Sequence, residues 1–107
     1  MVMMRGDIWM VNLDPTVGSE IQKTRPCVVI SPGEMHDHLR TALVAPITTK
    51  SRPAPFRIPV SHNGQKGLIL LDQVGAVDKI RLVKRLGALP AKTLAQTLTA
   101  LQEAFAL

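Results

Sequence analysis

Short apolar segments, separated by turn-forming or polar residues, occupy most of the chain. Segments rich in β-branched residues predict strands at Ile8–Leu13, Cys27–Ser31, Thr41–Ile47 and Gly67–Val74, and the last of these is expected to be central in its sheet. The segment Phe56–Val60 alternates apolar and polar positions, and Pro59 confines it to a sheet edge or a bulge. Asn63-Gly64 predicts the turn that follows.

A helical period is present only near the C-terminus. Pro90 suits the first turn of a helix, and apolar residues follow at helical spacing at Leu94, Leu98, Leu101 and Phe105. Five or six short strands followed by one amphipathic helix predict an α+β fold built on a small, strongly bent antiparallel sheet or barrel. We expect residues 1–107 to form a single domain.

Three segments between these elements have less regular patterns. Residues 16–26 are polar, contain Gly18 and show no helical period, so they predict a loop that is long enough to be functional. Residues 34–40 predict a short helix or an irregular loop. Residues 77–86 predict a short strand or a loop before the final helix.

The chain is basic, and its charge is unevenly distributed. Thirteen Lys and Arg against eight Asp and Glu give a formal net charge of +5. Residues 23–92 hold twelve of the bases and only four of the acids, and residues 38–71 hold no acid. Basic segments that converge on one face can follow a phosphate backbone, but a solvated surface explains the same charge. Three aromatic residues are too few to stack successive unpaired bases.

Composition excludes several other classes of protein. The longest apolar run, Ala42–Ile47, is far too short to span a bilayer, and the N-terminus lacks an apolar stretch of signal-peptide length, so a cytoplasmic location is expected. The single cysteine, Cys27, lies in an apolar run and predicts a buried structural thiol. His36 and His38 have no third ligand nearby and His62 stands alone beside a turn, so no metal site is predicted.

Five spaced motifs follow one another along the chain: Arg5–Trp9, Leu13–Glu20, Arg25-Pro26, Pro46–Thr49 and Asp72–Val74. Together they resemble the MazF/PemK family, the toxins of bacterial toxin–antitoxin pairs. The match extends over essentially the whole chain with few length changes, so it is more specific than any single motif. The resemblance implies a CcdB/PemK-like fold, which is a small SH3-like barrel with a C-terminal helix.

The resemblance also implies an activity, that of a metal-independent, sequence-specific endoribonuclease that cuts single-stranded RNA, chiefly mRNA, without a cofactor. The 2′-OH of the substrate attacks the adjacent phosphorus and leaves a 2′,3′-cyclic phosphate and a 5′-OH end. The reaction requires help in removing the 2′ proton, donors to the phosphoryl oxygens and a proton for the departing 5′ oxygen. The resemblance further implies that the protein forms a homodimer and that its partner is an antitoxin with a flexible acidic C-terminal tail. It implies no association with a membrane.

The catalytic pair implied by the resemblance is Arg25 and Thr48. Arg25 offers a planar fork that matches two phosphate oxygens, and Thr48 offers a hydroxyl that can orient or share a proton. Taken without the resemblance, Arg25 fits a surface ion pair with Glu20 or Asp14, and Thr48 fits a turn cap.

The implied RNA-binding residues carry hydroxyl, amide or carboxylate groups suited to base edges or the 2′-OH. They are Ser19, Glu20, Thr49, Asp72 and Gln73. Asp72 is expected either to form part of the groove floor or to hold Arg25 or Arg81 in place.

Two departures from the family pattern leave the proton donor open. Some relatives carry a histidine in the loop between the glycine and the arginine, and residues 19–24 contain none. Certain PemK-type members place an arginine two residues before the aspartate of the Asp-Gln pair, where this chain has Leu70. Arg25 is a poor donor because the pKa of a guanidinium exceeds about 12. Substrate-assisted transfer, or Thr48 acting through water, is a hypothesis for this step.

Two alternative functions belong to other classes. CcdB-like toxins share the fold class and poison DNA gyrase, but they depend on a C-terminal tryptophan, and the only tryptophan here is Trp9. A non-catalytic barrel whose basic face meets nucleic acid or an acidic peptide is the second alternative. Such a module would bind RNA and leave it uncut in the presence of EDTA.

Overall fold

A computed structural model of the chain describes residues 2–13 and 24–107. The described strands are β1 Asp7–Asn12, β2 Thr24–Val29, β3 Thr41–Thr48, β4 Arg57–His62, β5 Gln65–Leu70, β6 Gly75–Asp78 and β7 Leu82–Ala88. The α-helices among these residues are α1 Gly33–His38 and α2 Ala91–Ala104, and two 3-10 turns cover Leu71–Gln73 and Lys79–Arg81.

The strands form one curled antiparallel sheet with the order β4-β5-β3-β2-β1-β7, and β6 also pairs with β3. The predicted α+β class, a bent antiparallel sheet with a C-terminal helix, is therefore confirmed. Residues 34–40 are helical up to His38, and residues 77–86 contain parts of two strands, β6 and β7, which a 3-10 turn separates.

The strand predicted at Gly67–Val74 is not continuous. β5 ends at Leu70, and β6 then continues along the same side of β3. Ile69 lies opposite Ile47 and Gly75 lies opposite Val44, so six residue steps on one side face only three on the other. The three additional residues form the 3-10 turn that carries Asp72 and Gln73. The apolar pattern of the sequence does not reveal this break, because Leu71 in the turn is buried like the strand residues before it.

The loop predicted for residues 16–26 is wrong at its C-terminal end, because β2 begins at Thr24. Arg25 and Pro26 lie opposite Val11 and Met10 of β1, whereas the pairing of β2 with β3 starts only at Cys27. Pro26 therefore lies where β2 is locally an edge, the setting in which a strand tolerates a residue without an N–H group. Asp14 to Lys23 lie outside the described residues.

The edge position predicted for Pro59 is confirmed. β4 is the outer strand of the sheet and pairs with β5 through a two-residue turn. Asn63 and Gly64 in that turn have φ angles of 51° and 74°, the left-handed conformation that Asn-Gly favours in a tight hairpin.

Both faces of the central strands are covered, which explains the continuous apolar run after Pro26. Ile8, Val28 and Ala45 belong to one buried cluster, and Trp9 and Cys27 belong to another. In the C-terminal helix, two members of the predicted apolar stripe, Leu94 and Leu101, pack against the first cluster. The third, Leu98, is half-buried.

Phe105 departs from the predicted stripe. The helix ends at Ala104, and the Phe105 side chain that follows it is 78% exposed. Its backbone N–H still donates to the carbonyl of Leu101, and its side chain lines one surface groove with Leu98 and Leu101, but it is not buried in the core.

Candidate functional site

A cleft of about 330 Å³ opens where the end of β3 meets β2 and the β4–β5 hairpin. Its floor includes Ile47, Val60 and Gly67. The polar side chains of the described lining are Arg25, Thr48, Thr49, Lys50, His62 and Gln65. This set contains two permanent cations and no carboxylate, which favours an anionic ligand.

Strand register explains why Arg25 and Thr48 line the same cleft. The ladder between β2 and β3 ends at Cys27 and Pro46. The same register continued by two residues would place Arg25 opposite Thr48. These residues are 23 positions apart in sequence, and the antiparallel arrangement of the strands brings both into the lining of the cleft.

The guanidinium of Arg25 is available to a ligand. Arg25 is exposed, and among the described residues no carboxylate forms an ion pair with it. Asp14 and Glu20, the ion-pair partners considered from the sequence, lie outside the described residues. A planar fork of this kind can donate two parallel hydrogen bonds to a phosphate.

The hydroxyl of Thr48 is oriented by the chain that follows it. Thr48 ends β3 opposite Leu68, and its Oγ1 accepts a hydrogen bond of 3.2 Å from the backbone N–H of Lys50. Because Oγ1 is the acceptor in this bond, its own proton remains free to be donated into the cleft.

Gly67 allows β5 to pass close to this hydroxyl-bearing residue. A Cβ at Gly67 would lie 2.8 Å from the carbonyl oxygen of Thr48 and 3.5 Å from Cγ2 of Ile47. Since real Cβ atoms do not approach a backbone oxygen so closely, only glycine fits here without moving the end of β3.

His62 also lines the cleft, and sequence reasoning did not include it in the site. In the sequence it stands alone beside the Asn-Gly turn, outside the five family motifs. The alternation of β4 was the available signal, because His62 follows Ile58 and Val60 at a period of two and so lies on their side of the strand.

The sequence suggested that Asp72 could hold Arg25 or Arg81 in place. In the structure it pairs with Arg57 instead. The Nε and Nη2 atoms of Arg57 each donate a hydrogen bond of 3.2 Å to one oxygen of the Asp72 carboxylate. These bonds lower the pKa of Asp72 below its ordinary value. Arg81 instead donates to the backbone carbonyl of Asn12.

The remaining RNA-binding residues implied by the family differ in where they lie. Thr49 lines the cleft, whereas Asp72 and Gln73 are exposed on the 3-10 turn and do not line it. Ser19 and Glu20 lie outside the described residues. The structure therefore brings together Arg25, Thr48 and Thr49, and it separates Asp72 and Gln73 from them.

Cys27 is buried as predicted. Its side chain is fully shielded from solvent, and burial raises the pKa of the thiol to about 12. A thiol in this state is a poor nucleophile. Cys27 therefore belongs to the core, although it lies two residues from Arg25.

His36 belongs to the interior of the protein. It is buried, and its Nε2 is hydrogen-bonded to Ser31 Oγ. Within residues 2–13 and 24–107 no three His, Cys, Asp or Glu side chains are grouped so that they could hold a metal ion. In the same ranges no helix is long and apolar enough to cross a membrane.

Comparisons with known proteins agree with this fold. Residues 4–105 match the family model described as the PemK-like, MazF-like toxin of type II toxin–antitoxin systems. Endoribonuclease PemK of Escherichia coli is 37% identical over 82% of this chain and 71% of its own length. Endoribonuclease EndoA of Bacillus subtilis is 32% identical over 100% of this chain and 97% of its own length.

Solved structures show the same architecture. MazF from Deinococcus radiodurans superposes with a TM-score of 0.81 at 26% identity, covering 100% of this chain and 99% of that one. A MazE–MazF complex from the same organism also shares the fold, with a TM-score of 0.81 at 23% identity over 100% and 98% of the two chains. Because the family model spans nearly the whole sequence, the chain belongs to the PemK-like, MazF-like toxins of type II toxin–antitoxin systems.

Proposed function

We propose that this chain is a toxin that cleaves single-stranded mRNA at specific sequences without a metal ion. The observation that carries the proposal is the shared cleft of Arg25 and Thr48, whose described lining holds cations and hydroxyls but no carboxylate. Such a lining suits a phosphodiester, and the relatives named endoribonucleases make RNA the substrate to test. Residues 1–107 act as one toxin domain.

The chemistry uses groups of the protein and the substrate only. The 2′-OH of the RNA attacks the adjacent phosphorus, giving a 2′,3′-cyclic phosphate and a 5′-OH end. Arg25 donates to the phosphoryl oxygens on which charge develops, and Thr48 positions the 2′-OH or shares its proton. The nucleophile is already part of the substrate, so the reaction needs no metal-bound hydroxide.

RNA binding extends beyond the two catalytic residues. Thr49 lines the cleft, and its hydroxyl supports a role in donating to a base edge or a 2′-OH. Ser19 and Glu20 are proposed to contribute from the segment that leads to Arg25. Asp72 and Gln73 contact the RNA only if the bound RNA extends past the cleft to the 3-10 turn at Leu71–Gln73.

The protein partners follow from the family and from charge. Family membership and the basic sequence support a cognate antitoxin whose flexible acidic tail competes with RNA for the cleft. We expect a homodimer that inhibits growth by cutting mRNA in the cytoplasm, where that substrate is found.

Mapping the ends of digested RNA tests the proposal. A long RNA incubated with the purified protein and EDTA is expected to give 5′-OH ends at one recurring sequence. Arg25→Lys keeps the charge but loses the fork, and Thr48→Val loses the hydroxyl. We expect each change to slow cleavage by about a hundredfold, as for the loss of one donor to a developing oxyanion.

A matched control separates the role of Arg25 from a general effect of net charge. Arg25→Gln, which removes the charge as well as the fork, should slow cleavage at least as much as Arg25→Lys. Lys84→Gln on β7 removes the same charge but lies outside the cleft lining. It should leave cleavage within a few-fold of the wild type. RNA that is bound and left uncut by the wild-type protein would instead indicate the non-catalytic binding module.

A further inference from the structure

His62 is one of three ionisable side chains in the described lining of the cleft, together with Arg25 and Lys50. It ends β4, immediately before the Asn63-Gly64 turn, and lies opposite Gln65, which also lines the cleft. The left-handed φ angles of the turn residues fix the hairpin that carries it. His62 is thus placed by regular strand pairing and a tight turn.

The two nitrogens of the His62 ring lie in different surroundings. Nε2 is buried and has no hydrogen bond among the described residues. The neighbour of the ring on β7 is Gly87, where an added Cβ would lie 3.9 Å from Cε1 of His62, and glycine offers no side chain to bond with the imidazole. A buried Nε2 cannot reach a ligand in the cleft, so the other ring nitrogen, Nδ1, which is not among the buried unpaired atoms, is the one that can serve a substrate there.

Among the described lining residues, only His62 has an acidity suited to delivering a proton near neutral pH. Cleavage by the 2′-OH turns the 5′ oxygen into an alkoxide unless a proton is delivered to it. Guanidinium and ammonium groups hold their protons too tightly at neutral pH to be efficient donors, with unperturbed pKa values above about 12 and near 10.4. Imidazole is the side chain whose protonation changes near neutral pH.

We propose that His62 is the catalytic general acid of this toxin, a role that rests on the proposed ribonuclease function. The 2′ oxygen forms a bond to phosphorus as its proton passes to water. The bond from phosphorus to the 5′ oxygen breaks, its electron pair stays on that oxygen, and the oxygen takes a proton from the His62 imidazolium. The neutral ring then regains a proton from solvent.

An RNA with sulfur in place of the bridging 5′ oxygen tests this role directly. A thiolate leaves without protonation, because thiols are far stronger acids than alcohols. The experiment compares single-turnover cleavage of oxygen and sulfur substrates, each containing the mapped cleavage sequence, by the wild type, His62→Gln and His62→Asn. The control His38→Gln changes an exposed histidine of α1 outside the cleft lining.

We expect both His62 variants to cleave the oxygen substrate about a hundredfold more slowly than the wild type, the effect of losing a general acid. The sulfur substrate should be cut within a few-fold of the wild-type rate, and His38→Gln should match the wild type on both. Affinity for an uncleavable RNA with a 2′-deoxy sugar at the cut site should change less than twofold.

Two results would overturn the assignment. An equal loss on both substrates would show a structural or positioning effect, and no loss on the oxygen substrate would remove His62 from the chemistry. The ratio of the two rates within one variant does not depend on the folded fraction, so partial unfolding cannot imitate the expected result. Failure of the wild type to cut either RNA would instead reject the proposed function.

Discussion

The carbonyl oxygen of Thr48 lies 2.8 Å from the point that a Cβ would occupy on Gly67. This approach connects the proposed catalytic hydroxyl to a residue that takes no part in the chemistry. Gly67 pairs with Val60 of β4, and Thr48 lies opposite Leu68, so β3, β4 and β5, three of the four strands around the cleft, meet at this point.

Gly67→Ala should therefore damage the cleft. The added methyl group must displace the end of β3 or the backbone of β5, and overpacking of this kind costs about 1–3 kcal/mol of unfolding free energy. We expect a lower thermal midpoint and an RNA cleavage rate reduced at least tenfold, both measured against Gly75→Ala. Gly75 has no atom within 4 Å of the added Cβ and an ordinary φ, so that variant should resemble the wild type. Equal behaviour of the two variants would contradict the close approach.

The Arg57–Asp72 pair should make stability depend on pH only in acid. Arg57 lowers the pKa of Asp72 below its ordinary value of 3.8, so the folded protein favours the carboxylate. The stabilisation is present above that value and disappears as the pH falls through the lowered pKa. Thermal unfolding of the wild type and Asp72→Asn should differ slightly at pH 6 and converge in strong acid. A difference that persists unchanged in strong acid would rule out the pair as its source.

Cys27 should resist alkylation in the folded protein. Burial raises the pKa of its thiol to about 12, and the reactive thiolate is therefore scarce at pH 8. Iodoacetamide monitored by mass spectrometry should label the chain in denaturant and leave the native protein unmodified. The same shift lowers stability as the pH rises from 9.0 towards 12, because only the unfolded thiol ionises there. Rapid labelling of the native protein would show that the core opens at β2.

Ser31→Ala should destabilise the fold, although Ser31 does not line the cleft. Ser31 is 1% exposed, and its Oγ accepts the N–H of Leu43 at 3.0 Å while hydrogen-bonding His36 Nε2. Removing the hydroxyl leaves buried polar groups unpaired. The free energy of unfolding, measured with urea, should fall by about 1–3 kcal/mol. Ser61→Ala on the exposed side of β4 is the matched control and should change stability by less than about 0.5 kcal/mol. Equal costs for the two variants would contradict the buried network.

Local sequence was sufficient to predict most strands and the helix. The Asn63-Gly64 turn and the edge strand with Pro59 depend on backbone preferences of a few neighbouring residues, and both agree with the structure. The 3-10 turn at Leu71–Gln73 is not predictable in the same way, because it arises where β5 and β6 both pair with β3. The position of this turn depends on the register of both strands against β3, and the residues of the turn itself do not specify that register.

The sequence by itself determined the α+β class, the buried thiol of Cys27 and the family, since these depend on residue types and their order. Only the tertiary structure decided that Arg25, Thr48 and His62 share a cleft and that Asp72 pairs with Arg57. The physical reason is that strand pairing joins residues far apart in the chain. A side chain's neighbours across a curled sheet follow from register and twist, which no local pattern of residues specifies.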